Sequence, residues 1–91
     1  MDKISTKSLQ KTSDSLKVMA HPVRLKMIRL LSDKAVSVGE LANVCKISSP
    51  LVSSHLRLLS DRGVVKKQRR GRKIFYQVTR PVYGRIIDCL M

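Results

Sequence analysis

The sequence predicts a mainly α-helical domain that carries one small β-hairpin before its last helix. Three observations predict it. Apolar residues recur at helical spacing in five stretches between Thr6 and Met91. After Gly63 the period drops to two, with Val64-Val65 and then Ile74, Tyr76 and Val78 alternating along two short strands. Proline stands near the start of three of the helices, at Pro22, Pro50 and Pro81, where its missing N–H is not needed.

Residues 1–91 make a single domain, too short for a large core. Hydrophobic residues at 43% argue against disorder, and aromatics at 3% make that core aliphatic. The net charge of +13, from 19 Lys+Arg against 6 Asp+Glu, points to a polyanionic partner, nucleic acid before membrane. No apolar run approaches the roughly 20 residues of a membrane span. The start, MDKISTKSLQKTSDS, has no signal-peptide hydrophobic stretch, so the sequence predicts a cytoplasmic protein with reduced thiols.

Residues 1 to 5 read as a frayed start. From Thr6 to Ala20, Leu9, Leu16 and Met19 form a thin apolar stripe that needs a large surface to pack on, such as a partner subunit. His21-Pro22 breaks that helix. The next, PVRLKMIRLLSD, is apolar over much of its circumference and reads as the central buried helix. Ala35 to Ser37 suits one extended segment. Ser37 and Glu40 fit a capping box, and the helix that follows should turn Leu41, Val44 and Cys45 inward.

Lys46-Ile47-Ser48 then leads tightly into SSPLVSSHLRLLSDRG. Ser49 is the expected cap and Pro50 the first helical residue. Val52, Leu56 and Leu59 form the buried stripe. At about 100° per residue, Pro50, Ser54 and Arg57 lie opposite it. That outer face is polar and uncharged except for Arg57, which suits close approach to a surface. Gly63 supplies a left-handed cap. Two short helices joined this closely, over 38–62, describe a helix-turn-helix, whose second member enters the major groove.

The hairpin spans 64–78. Six of the eight residues in KKQRRGRK, from Lys66 to Lys73, are basic, and Gly71 supplies the turn. Edge protection alone would need fewer charges. A cationic arm beside a recognition helix suits phosphates or the minor groove, which makes this a wing. The last helix, 81–91, is apolar on a wide face through Val82, Tyr83, Ile86, Ile87 and Leu90. Together with 6–20 it offers more apolar surface than so small a monomer covers, which predicts a two-fold dimer.

LKVMAHPVRLKMIRLL, SVGELA, LVSSHLRLLSDRGVV and GRKIFYQV, between Leu16 and Val78, together resemble the ArsR/SmtB family of winged helix-turn-helix repressors. The resemblance implies about five helices plus a two- to three-stranded wing. It also implies a homodimer on double-stranded, palindromic operator DNA. Its recognition-helix positions fall on Ser48, Ser49, Leu51, Ser53, Ser54, His55 and Arg57, and Pro50 on the same outer face is expected to join them. Its wing positions fall on Arg69, Arg70, Gly71 and Arg72, and the basic Lys67 and Lys73 are expected beside them. Leu9, Leu16, Tyr83, Ile86, Ile87 and Leu90 are the expected dimer contacts.

The sensing residues of that family are not matched. Ser37 and Gly39 stand where metal-responsive members carry a Cys-x-Cys, and the last helix offers Asp88 without histidine. No metal and no cofactor is therefore expected, and His21 and His55 read as structural. Cys89 could serve a thiol switch, but the matching position of the second helix falls near Arg29. Cys45 reads as an inert small hydrophobe. No His, Cys or carboxylate cluster is placed for catalysis, so no enzyme is expected. A non-specific architectural, nucleoid-type DNA binder is the alternative to a sequence-specific repressor.

Overall fold

The computed structural model describes residues 4–91, and residues 1–3 of the expected frayed start lie outside them. Ser5 is not frayed. Its side chain accepts the Ser8 N–H at 3.1 Å and caps α1, Thr6–Met19. The other elements are α2 (Pro22–Asp33), β1 (Val36–Ser37), α3 (Val38–Cys45), α4 (Ser49–Asp61), β2 (Val65–Arg70), β3 (Lys73–Val78) and α5 (Val82–Leu90). The strands form one antiparallel sheet in the order β1-β3-β2.

Helix α2 is central, as its circumference of apolar residues predicts. Met27, Ile28 and Leu31 are fully buried, and the helix touches α1, α3, α5 and β3. Leu41 of α3, Val52, Leu56 and Leu59 of α4, Val64 and Val65 at the start of the hairpin, Val78 and Ile87 complete the core. Removing the side chain of a residue such as Leu56 would cost about 2–5 kcal/mol.

Helix ends follow from local chemistry. His21 caps α2, its Nδ1 accepting the Val23 N–H at 3.2 Å, with Pro22 first in the helix. Ser37 accepts the Glu40 N–H at 3.2 Å, and its hydroxyl in turn bonds the Glu40 carboxylate. Lys46 closes α3 in the left-handed region at φ 57°.

Two further expectations need correction. The cap of α4 is Ser48, whose Oγ accepts the Leu51 N–H at 3.3 Å; Ser49 is already helical and Pro50 is its second residue. A serine cap bonds the N–H two or three positions on, and Ser48 reaches Leu51 from an extended backbone. Val44 is turned outward, 46% exposed. Leu41 is the buried residue of α3, with Val38, Ala42 and Cys45 packed on the core beside it, and at about 100° per residue Val44 lies off that face.

Candidate nucleic-acid interface

Helix α4 buries Val52, Leu56 and Leu59 and leaves Ser48, Ser49, Pro50, Leu51, Ser53, Ser54 and Arg57 exposed. His55 is half-buried on the flank and accepts a hydrogen bond from Arg24 Nε at 3.0 Å. Burial first, then the positive charge of Arg24 and the neighbouring His21, push the His55 imidazole below its ordinary value.

The end of α4 sets the direction of the hairpin. The Gly63 N–H donates to the Ser60 carbonyl and the Val64 N–H to the Leu59 carbonyl, both at 2.9 Å. This pair of bonds is a Schellman motif, and it requires the left-handed Gly63 at φ 73°. Thr79 closes the far strand on the same joint, its hydroxyl donating to the Gly63 carbonyl at 2.6 Å. The wing is therefore hinged directly on the recognition helix.

At the tip, Arg70 pairs with Lys73 across a two-residue turn of Gly71 and Arg72. Gly71 has φ 62° and Arg72 does not share its sign, the arrangement of a II′ turn. Lys67, Arg69, Arg70, Gly71, Arg72 and Lys73 are all exposed. Arg70 is steadied by the Phe75 ring, 4.9 Å from its guanidinium carbon, and donates to Gln68 at 2.9 Å. Phe75 escaped the sequence reading because it stands off the Ile74, Tyr76, Val78 alternation; its position two residues along from the partner of Arg70 was the available signal.

The opposite side of the molecule is apolar. Leu16, Met19, Leu25, Leu30, Ile86, Ile87, Leu90 and Met91 line an open groove of about 760 Å³ between α1, α2 and α5. Leu16 is 47% exposed and Leu90 83%, whereas Ile87, at 7%, forms the groove floor as part of the core. Tyr83 packs on that core, and Leu9 is exposed further along α1. Arg29 bonds Asp33 and Asp88 at 2.9 and 2.8 Å and so ties α2 to α5; these two bonds, Asp33 first, hold its guanidinium above its ordinary value. Cys89 is exposed. Cys45 is half-buried, and burial pushes its thiol up against a smaller opposing effect of Lys26. No group of three or more His, Cys, Asp or Glu able to hold a metal occurs among the described residues, and none of their helices is long and apolar enough to cross a membrane.

A helix-turn-helix with a free polar face, followed by a basic hairpin fixed to its end, defines a winged helix-turn-helix protein of the class that regulates transcription. The helix-turn-helix domain family matches residues 19–68. The transcriptional repressor PagR of Bacillus anthracis is 36% identical over 97% of this chain and 89% of its own length. Its crystal structure superposes with a TM-score of 0.84 at 34% identity, covering 96% of this chain and all of that one. The chain belongs to the ArsR/SmtB family of helix-turn-helix transcriptional regulators. The repressor SmtB of Mycobacterium tuberculosis is 34% identical over 77% of this chain and 52% of its own length. HlyU from Vibrio cholerae has a TM-score of 0.86 at 30% identity, with 94% of each chain covered.

Proposed function

We propose that two copies of this chain bind a palindromic operator in double-stranded DNA and repress transcription from it in the cytoplasm, without catalysis and without a metal cofactor. Ser48, Ser49, Pro50, Leu51, Ser53, Ser54, His55 and Arg57 present α4 to the major groove. Lys67, Arg69, Arg70, Gly71, Arg72 and Lys73 carry the wing along the adjacent backbone. The observation that carries this reading is the joint at Gly63, which fixes an exposed polar helix face and a cationic hairpin as one unit.

The groove between α1 and α5 is proposed as the dimer interface, with Leu9, Leu16, Tyr83, Ile86 and Leu90 around the Ile87 floor. Sedimentation at micromolar concentration tests it, and a clean monomer sinks the idea. Cys89, exposed on α5, is the candidate for a thiol response. Equal DNA binding under oxidant by the parent protein and the Cys89→Ser variant would remove it.

Selection of bound sequences from random duplex DNA tests the main reading. A palindromic consensus supports a sequence-specific regulator; no consensus supports an architectural binder. A reporter placed behind the selected site separates repression from activation. That second sign is favoured by one observation: the relative HlyU of Vibrio cholerae is a transcriptional activator.

A further inference from the structure

His21, Arg24 and His55 meet where the α1–α2 junction packs against the flank of α4. Arg24 Nε donates to His55 Nδ1 at 3.0 Å, and a terminal Arg24 nitrogen donates to the Val18 carbonyl at 3.2 Å. The Val23 N–H donates to His21 Nδ1 at 3.2 Å. The two imidazole rings stand 4.9 Å apart, tilted by 49°.

These bonds fix both tautomers. Arginine is always protonated, and a backbone N–H can only donate, so Nδ1 of each ring is an acceptor. A neutral imidazole whose Nδ1 accepts carries its proton on Nε2. Both rings therefore offer an Nε2–H. Neither is used within the chain, since no hydrogen bond from either Nε2 occurs among the described residues. Neither is enclosed, since both rings are half-buried and no buried side-chain nitrogen there lacks a partner. The ring centres are only 4.9 Å apart, so the two Nε2–H donors belong to one local patch of surface. Arg24 adds a permanent positive charge and keeps N–H groups that bond neither His55 nor Val18.

We propose that His21, Arg24 and His55 form an oxyanion site that takes a phosphate of the DNA backbone. The site rests on the placement of α4 in the major groove, and it adds to that reading a contact made by the α1–α2 junction. A helix seated in a groove has the phosphate walls along its flanks, and His55 stands on such a flank. One cation with two neutral donors matches the single charge of a phosphodiester. The same tautomers disfavour a metal ion, because the nitrogens open to solvent hold protons in place of free lone pairs.

The test is a double variant, His21→Asn with His55→Asn. The asparagine oxygen replaces Nδ1 as acceptor for the Val23 N–H and for Arg24, so the cap and the clamp stay while both Nε2–H donors go. Affinity for a mixed-sequence duplex should fall roughly tenfold or more. The slope of log affinity against log salt should stay constant, because the lost donors are uncharged. Unchanged affinity overturns the site, as does a flattened slope, which would mean that the imidazoles bind as cations.

Should the double variant not fold, NMR of the parent protein decides. Added duplex should shift the two Nε2–H signals and slow their exchange with water; unmoved signals overturn the site. Inorganic phosphate alone separates the two sources of the anion. Signals that respond to phosphate and not to duplex overturn the assignment to DNA. A parent protein that binds no duplex at all overturns the functional reading together with the site. Parent and double variant that bind duplex equally well remove only the site.

Discussion

Gly84 of α5 lies directly against Ser32 of α2, where an added Cβ would come within 2.7 Å of the Ser32 Cβ. The Ser32 hydroxyl is itself held by the Ile28 carbonyl at 2.7 Å, so it does not swing away freely. Alanine at 84 would gain helix propensity of roughly 1 kcal/mol and lose about 1–3 kcal/mol to overpacking. The expected outcome for Gly84→Ala is a net destabilisation, read by denaturant unfolding, together with weaker dimerisation as α5 is pushed from α2. A more stable variant would mean that α5 docks more loosely than the structure shows.

Changing Arg70 and Arg72 to Ala should weaken binding to all duplexes alike. Each lost phosphate contact should lower the log–log salt slope by roughly one unit. Titrations at several salt concentrations, on two unrelated sequences, provide the check. A change in sequence preference would contradict the role given to the wing.

Ser54→Ala and Arg57→Ala should instead change which bases are preferred, by about 1–3 kcal/mol for each lost base contact. Selected consensus sequences for parent and variants carry the comparison. An unaltered consensus in both variants would remove the outer face of α4 from the groove.

Folding lowers the affinity of His55 for its proton, through burial and then through Arg24 and His21. The neutral ring is thus the form that the fold favours. Its contribution to stability is complete above the unfolded value of about 6.5 and is lost as pH falls through the lower folded value. Thermal midpoints should drop between neutral and mildly acidic pH more steeply in the parent than in His55→Asn. Parallel pH profiles would contradict it.

Zinc, cadmium and arsenite should leave the DNA complex intact in a fluorescence titration. The physical reason is the missing ligand set: Ser37 and Gly39 stand where a thiolate pair would be needed, and α5 carries no histidine. Release by nanomolar metal would overturn this.

The order of elements was legible because each has a local cause. The Ser37–Glu40 pair, Pro22 and Gly63 act within one turn of themselves, and the change of period after Gly63 marks the hairpin. What escaped depends on partners distant in the chain. Arg24 and His55 are 31 positions apart, and nothing in either segment signals their bond. Gly84 looks like a weak spot in a helix until Ser32 is placed behind it. The shift of the cap from Ser49 to Ser48 has another origin: both serines are chemically competent, and only the backbone angles choose between them. For Val44, helical spacing from Leu41 allows an inward position, but the buried face lies on the side of Val38, Ala42 and Cys45. The apolar groove was foreseen as unpaired surface on α1 and α5, although Ile87 turned out to serve the core.

The register of the sheet has a mechanical consequence. Strand β1 reaches only Phe75 and Tyr76 of β3, so beyond the Gln68–Phe75 pair the wing is a two-stranded ribbon. Arg69, Arg70, Arg72 and Lys73 all sit on that unsupported part. A lone pair of strands is marginally stable in water and bends more readily than a three-stranded sheet. The wing is thus a cantilever, clamped at its root by Thr79 and compliant at its charged end. On the proposed DNA such an arm would follow local variation in groove width at little elastic cost. It would also be able to detach and re-engage with α4 still seated, so that the grip would loosen in small steps rather than all at once.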